Sequence, residues 1–390
     1  MLEGNVNKEF LEYADKRIRL APYRLKEDFE TIKTVAVIDR LIDRANDIAN
    51  GASALGRYGW VNGHTYENDM NQAEIYLSAL ERGEYPLTGK FAEPGLTVVD
   101  HSFIIKDGVV HLIFNRGFIG YEWDTRFVDA FGHATTTDLI HWTIEPTVYT
   151  ADRNEFENHQ IWSPGICRKD DTFYMYYTGV NLHISQAICL ATSKDLYHWD
   201  RYPHNPILIN GDWGNWSANA WSDCRDPMVF LDDDPGRTAY MYYCTMLKDL
   251  DRDRATAVGI ASSRDMIHWK DEGAYHFDFC EMTLESPFIL KHHGLYYLFY
   301  TNCSHGTYYA YSDNPINGWS EGHELMGIRD PDCPTTFPSC SEVFQFKDKW
   351  YISVAERLTT AEQYLELYEL FWNEDNTVSL GKRVEPSFKN

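Results

Sequence analysis

The sequence predicts an all-β fold, a five-bladed β-propeller with an N-terminal helical extension, from two signatures that recur along the chain and the residue types that fill them. One signature is Ala134-Thr-Thr-Thr-Asp138-Leu-Ile-His141-Trp142, repeated as Ala191-Thr-Ser-Lys-Asp195-Leu-Tyr-His198-Trp199 and Ala261-Ser-Ser-Arg-Asp265-Met-Ile-His268-Trp269. A degraded fourth copy runs from Ala310 through Asp313 to Trp319. The tryptophans recur every ~50–70 residues, the spacing of four-stranded blades with unequal loops. The other signature pairs a hydrophobic segment with an aromatic-rich strand across a tight turn, and five such pairs predict five blades. An aromatic content of 15% agrees, because aromatic side chains favour strands.

In chain order, residues 1–94 form the extension and 95–390 the propeller. Phe29, Ile32, Val35, Ile38, Leu41, Ile42 and Ile48 fall at helical spacing between Lys26 and Asn50, and Gly51 ends the pattern. A second helix is expected from Asn68 to Glu84, before Pro86. These helices either pack across a face of the propeller or join two subunits as a homo-oligomer. The blades then open at Val99-Asp100-His101, Trp162-Ser163-Pro164, Arg225-Asp226-Pro227, Glu285-Ser286-Pro287 and Ser341-Glu342, each followed by an aromatic strand such as Phe173-Tyr-Met-Tyr-Tyr177. Asp138, Asp195 and Asp265 are expected to close turns, since a feature present in every copy marks scaffold.

A formal charge of −24 argues against nucleic acid or an anionic membrane as partner, both of which require a basic face. Met1 to Phe10 carry neither a basic start nor an apolar run, so no secretory leader is visible and a cytoplasmic location is expected. The eight cysteines form no C-x-x-C pair, which predicts buried free thiols, and neither metal-ligand spacing nor a cofactor motif is present.

The innermost strand of each blade lines the channel, so the residue that opens each pair is expected to face it. Read at that position, Asp100, Asp226 and Glu285 bring three carboxylates from three blades to one place, beside Ser163 and Glu342. Glycoside hydrolysis needs one carboxylic acid to protonate the leaving oxygen and a second carboxylate to attack or to activate water. Crowded carboxylates also raise one another's pKa, which keeps one protonated. Trp162, Trp123, Trp221 and Tyr121 are candidate stacking surfaces for an oligosaccharide, and the aromatic loop Gly211–Trp221 a candidate binding element or lid. Arg225 is expected to hold Asp226 ionised or to bind a hydroxyl, and His101 and His133 are further candidates.

These residues carry a family resemblance. Residues 95 to 375 resemble the five-bladed propeller furanosidases, which include glycoside hydrolase families 32, 43, 62 and 68. Phe131-Gly-His-Ala with Asp138-Leu-Ile-His-Trp142, Tyr177-Thr-Gly179 and Arg225-Asp226-Pro227 are similar to segments of family 32. The resemblance implies Asp100 as nucleophile or base, Asp226 as transition-state stabiliser and Glu285 as general acid/base, acting on a terminal fructofuranoside-like sugar. Val99 and His101 replace the Asn and Pro that flank the first acid in family 32, and Glu285-Ser286 replaces Glu-Cys. Asp232-Asp233-Asp234 and Trp162-Ser163-Pro164 are closer to family 43, which implies the alternative of an inverting arabinofuranosidase, and a helical extension is similar to family 117. A non-catalytic carbohydrate-binding propeller is the alternative of another class. It predicts acids that are exposed, dispersed or neutralised by ion pairs.

Overall fold

The structure is a computed structural model that describes Leu96 to Phe388 apart from residues 119–126, 153, 249, 251–254, 277–283, 304, 329–336 and 358–362. Before Leu96 it describes only scattered helical positions between Asp15 and Glu81. Two compact units emerge, one of Met1–Thr88 with Glu93–Leu96 and Phe118–Phe127, the other of the remaining residues. In the first, Val35, Ile38 and Ile42 are helical and buried, as expected of an apolar helix face. Glu74, Leu77, Ser78 and Glu81 are helical in the second expected helix, and a further helical stretch at 18–21 carries Arg19, which pairs with Glu74 and Glu81.

Five blades follow, each with four antiparallel strands, and the sheet of the first is extended to six by the short strands Leu96–Thr97 and Ser387–Phe388. The first consists of His101–Lys106, Val109–Phe118, Phe127–Thr136 and His141–Thr150. The second runs Gln160–Lys169, Thr172–Val180, Gln186–Ser193 and Asp200–Arg201, and the third Cys224–Leu231, Ala239–Met246, Thr256–Ser263 and Lys270–Tyr275. The fourth is Leu284–His292, Leu295–Asn302, Gly306–Ser312 and His323–Gly327, and the fifth Ser339–Phe346, Lys349–Arg357, Gln363–Trp372 and Val378–Val384. The innermost strand of each blade touches that of the next, and the fifth returns to the first, so the ring is closed. Near the chain end Ser387–Phe388 pairs in parallel with His141 and Trp142 on the outer strand of the first blade.

The core is divided among the five seams between blades. Ile113, Phe131, Tyr149, Met175 and Tyr177 pack between the first and second blades, and Phe114, Trp142, Tyr351, Leu365 and Leu367 between the fifth and first. Clusters of the same kind fill the other three seams. A second strand has a blade on each side, so both its faces must be apolar and its side chains run as a block. Tyr176, Tyr177, Tyr242, Tyr243, Phe299 and Tyr300 are accordingly among the most buried large side chains.

The Asp-x-x-His-Trp repeats close the turn into the outer strand. Asp195 Oδ1 accepts the amides of Tyr197 and His198, its Oδ2 pairs with His198 Nδ1 at 2.7 Å, and Trp199 Nε1 donates to Leu196 O. Asp138 and Asp265 make the same amide bonds, with Leu139, Leu196 and Met266 at positive φ in each turn. In the fourth blade Asn314, rather than Asp313, takes that position and accepts from Ile316 and Asn317.

Candidate active site

The site is built on a backbone irregularity shared by four blades. Register slips between Trp162 and Gly165, Arg225 and Met228, Glu285 and Phe288, and Ser339 and Glu342, and the residue after each first position lies in left-handed space. These are Ser163, Asp226, Ser286 and Cys340, with φ of 48, 56, 50 and 53. A bulge leaves amides outside the ladder, and proline next in line removes one of them at Pro164, Pro227 and Pro287. The bulge amide itself is taken up by the preceding blade. Ser163 N–H donates to Asn115 Oδ1, Asp226 N–H to Thr178 Oγ1, Ser286 N–H to Asp226 Oδ2 and Cys340 N–H to Thr301 Oγ1. At the remaining seam Phe103 N–H donates to Glu342 Oε2 at 2.7 Å.

This geometry corrects the equivalence expected between blades. Asp226 matches Ser163, Ser286 and Cys340, whereas Glu285 matches Arg225 and Trp162, one residue earlier. The fifth position is Cys340, not the expected Ser341-Glu342.

The inner strands line an open pocket bordered by Asp100, His101, Ser163, Asp226, Cys340 and Glu342 among others. Gly165 lets the strands approach there, since a Cβ on it would stand 2.1 Å from Pro227 O. Asp100 precedes the first inner strand, where Asn115 Nδ2 donates to its Oδ2 at 2.7 Å. Asn115 therefore links Asp100 to Ser163, and Ser163 Oγ donates to Asp226 Oδ1 at 2.6 Å.

Glu285 stands outside the residues that line this pocket and joins the others through Arg225. Arg225 NH2 donates to Glu285 Oε1 at 3.0 Å, its Nε lies 3.8 Å from Asp226 Oδ2, and its NH1 bonds Asp223 Oδ1 and Gln186 Oε1. The Glu285 side chain is 29% exposed against 9% for Asp226, so one acid faces solvent and the other does not. Burial, and then the nearby Asp100 charge, push the Asp226 carboxyl above its ordinary range against the pull of Arg225. Three carboxylates, Asp223, Asp226 and Glu285, surround this one guanidinium, which therefore does not neutralise the group.

Glu342 is buried, and that burial pushes its carboxyl up to about 8. His101 is buried with Nδ1 3.0 Å from Val99 O, an acceptor, so Nδ1 carries the proton and Nε2 accepts from Ser353 Oγ at 2.6 Å. Burial lowers its pKa to about 4, which keeps it neutral. His133 lies away from this group, stacked on His111. Trp162 Nε1 donates to Gln160 Oε1. Trp221 is 41% exposed and donates to Asp223 Oδ2, while Trp123 and Tyr121 lie outside the described residues. Cys167, Cys189, Cys224, Cys244 and Cys340 are buried free thiols and Cys303 a partly buried one, in line with expectation.

Asn115 and Asp223 were not singled out by sequence. Asp223 had a signal, since it stands two residues before Arg225 and so on the same side of an extended strand. Asn115 had none. Among the described residues no group of side chains is arranged to hold a metal ion, and no helix is long and apolar enough to cross a membrane.

Residues 101–291 match the profile of the glycosyl hydrolases family 32 N-terminal domain. The fold is that of a thermostable family-43 glycoside hydrolase, with a TM-score of 0.60 at 16% identity over 78% of this chain and 97% of that one. Over residues 101–291 the chain is thus similar to family 32, and it shares the five-bladed fold of family 43. It is 28% identical over 176 residues to a fructan 6-exohydrolase of Beta vulgaris, a match of 44% of this chain and 27% of the beet protein. A 1,2-beta-oligomannan phosphorylase of a Thermoanaerobacter species is 30% identical over 107 residues, 27% of this chain and 36% of that protein. The chain thus spans well under half the length of these curated relatives.

Proposed function

We propose that this propeller is a glycoside hydrolase that releases a terminal furanose-type sugar from an oligosaccharide. Asp100 serves as nucleophile or base, Asp226 as stabiliser of the positive charge that develops on the sugar, and Glu285 as general acid/base. The observation that carries this reading is the connected set itself: Asp100 and Asp226 line one pocket, and Arg225 ties Asp226 to the more exposed Glu285. An exposed acid suits protonation of a leaving group that departs towards solvent. Buried carboxylates with few counter-charges suit stabilisation of a cationic transition state.

A carbohydrate-binding propeller without catalysis is disfavoured by the burial of Asp226 and by the three-to-one ratio of carboxylates around Arg225. The arabinofuranosidase alternative draws support from the fold it shares with an α-L-arabinofuranosidase of Clostridium thermocellum, with a TM-score of 0.56 at 20% identity. Hydrolysis of aryl fructofuranosides, arabinofuranosides and xylosides by the unmodified chain and by D100N and E285Q tests the proposal. Loss of at least about 10³-fold in both variants on one substrate is expected. Unchanged turnover in E285Q removes Glu285 from the mechanism.

A further inference from the structure

Arg225 is also held by a residue with no place in the mechanism so far. Asp223 and Arg225 are both buried, with side chains 7% and 8% exposed, and they form a direct ion pair. Asp223 is anchored through its own backbone, because Asn210 Nδ2 donates to its carbonyl at 2.8 Å and Thr245 Oγ1 at 3.3 Å. Its other carboxylate oxygen takes Trp221 Nε1 at 3.0 Å. The guanidinium is consequently divided, with NH1 on Asp223 and Gln186, NH2 on Glu285 and Nε near Asp226.

Resting on the hydrolase reading above, we infer that Asp223 is a positioning residue which withholds part of the Arg225 charge from Glu285 and Asp226 and so lets Glu285 carry a proton. A guanidinium shared only between Glu285 and Asp226 would stabilise both as anions, and an acid so stabilised is a poor proton donor. Among the described residues, the other ionisable groups in contact with Arg225 or Glu285 include Cys244 and Cys303. Cys244 Sγ donates to Leu284 O and Cys303 Sγ to Glu285 Oε2, and burial raises both thiols well above their ordinary range, so they stay neutral and Asp223 is the carboxylate that competes with Asp226 and Glu285 for Arg225.

The test is the pH dependence of kcat/KM for D223N, D223E and E285Q on whichever aryl furanoside the unmodified chain hydrolyses. In D223N the basic limb, which reports loss of the acid's proton, moves down by about one pH unit, and kcat falls by about tenfold while KM changes little. D223E restores the limb. A D223N limb that coincides with that of the unmodified chain, while E285Q is inactive, overturns the inference and leaves the hydrolase reading standing. Should D223N fail to fold by circular dichroism, W221F reads the same link from the surface. Loss of the indole donor tightens Asp223 on Arg225 and moves the limb up, and an unmoved limb there overturns the inference as well.

Discussion

Ser163 donates a hydroxyl hydrogen bond to Asp226 across the seam between the second and third blades, Oγ to Oδ1 at 2.6 Å. Both residues occupy the left-handed position of their bulge, so the same irregularity that interrupts each ladder brings the two side chains together. The bond favours the Asp226 anion and opposes the burial that raises its pKa. In S163A the Asp226 pKa rises further. If Asp226 acts as an anion, the acidic limb of the rate profile moves to higher pH and turnover near neutrality falls about tenfold, as a pH series on the purified variant will show.

Glu342 makes stability depend on pH. Its carboxyl goes from an ordinary 4.5 to about 8 on folding, so between those values the folded chain binds more protons than the unfolded one. Stability contributed by the protonated acid is therefore present below about pH 4.5 and lost as pH rises through about 8. Gln in its place keeps an acceptor for Phe103 N–H and never ionises. E342Q is expected to melt a few degrees above the unmodified chain at pH 8 and to match it near pH 4.5, by calorimetry at both values.

Asn115 joins Asp100 to the second blade with one side-chain amide. N115A leaves the buried Ser163 N–H without its acceptor, at a cost of about 1–3 kcal/mol in stability. It also removes one of the bonds that orient Asp100. Denaturant titration should register the first effect, and a fall of about 10²-fold in kcat the second.

Asp195 serves the scaffold alone. D195A removes the acceptor for two turn amides and is expected to cost about 1–2 kcal/mol with KM and kcat unchanged. A change in kcat comparable to that of N115A would contradict the scaffold role.

Sequence by itself determined the number of blades, the Asp-x-x-His-Trp turns and the place of Asp226 and Glu285 on inner strands and of Asp100 just before one, because strand period, turn chemistry and repetition are local properties. It misjudged which residues correspond between blades: Glu285 was aligned with Asp226, when a bulge offsets them by one and makes Ser286 the true counterpart. Only the tertiary structure decided how the acids are connected. Asn115 meets Ser163, Ser163 meets Asp226 and Arg225 meets Glu285 over separations of 48, 63 and 60 residues. Each of these bonds crosses a seam, and the closing of the ring, which no local pattern encodes, brings their partners within reach.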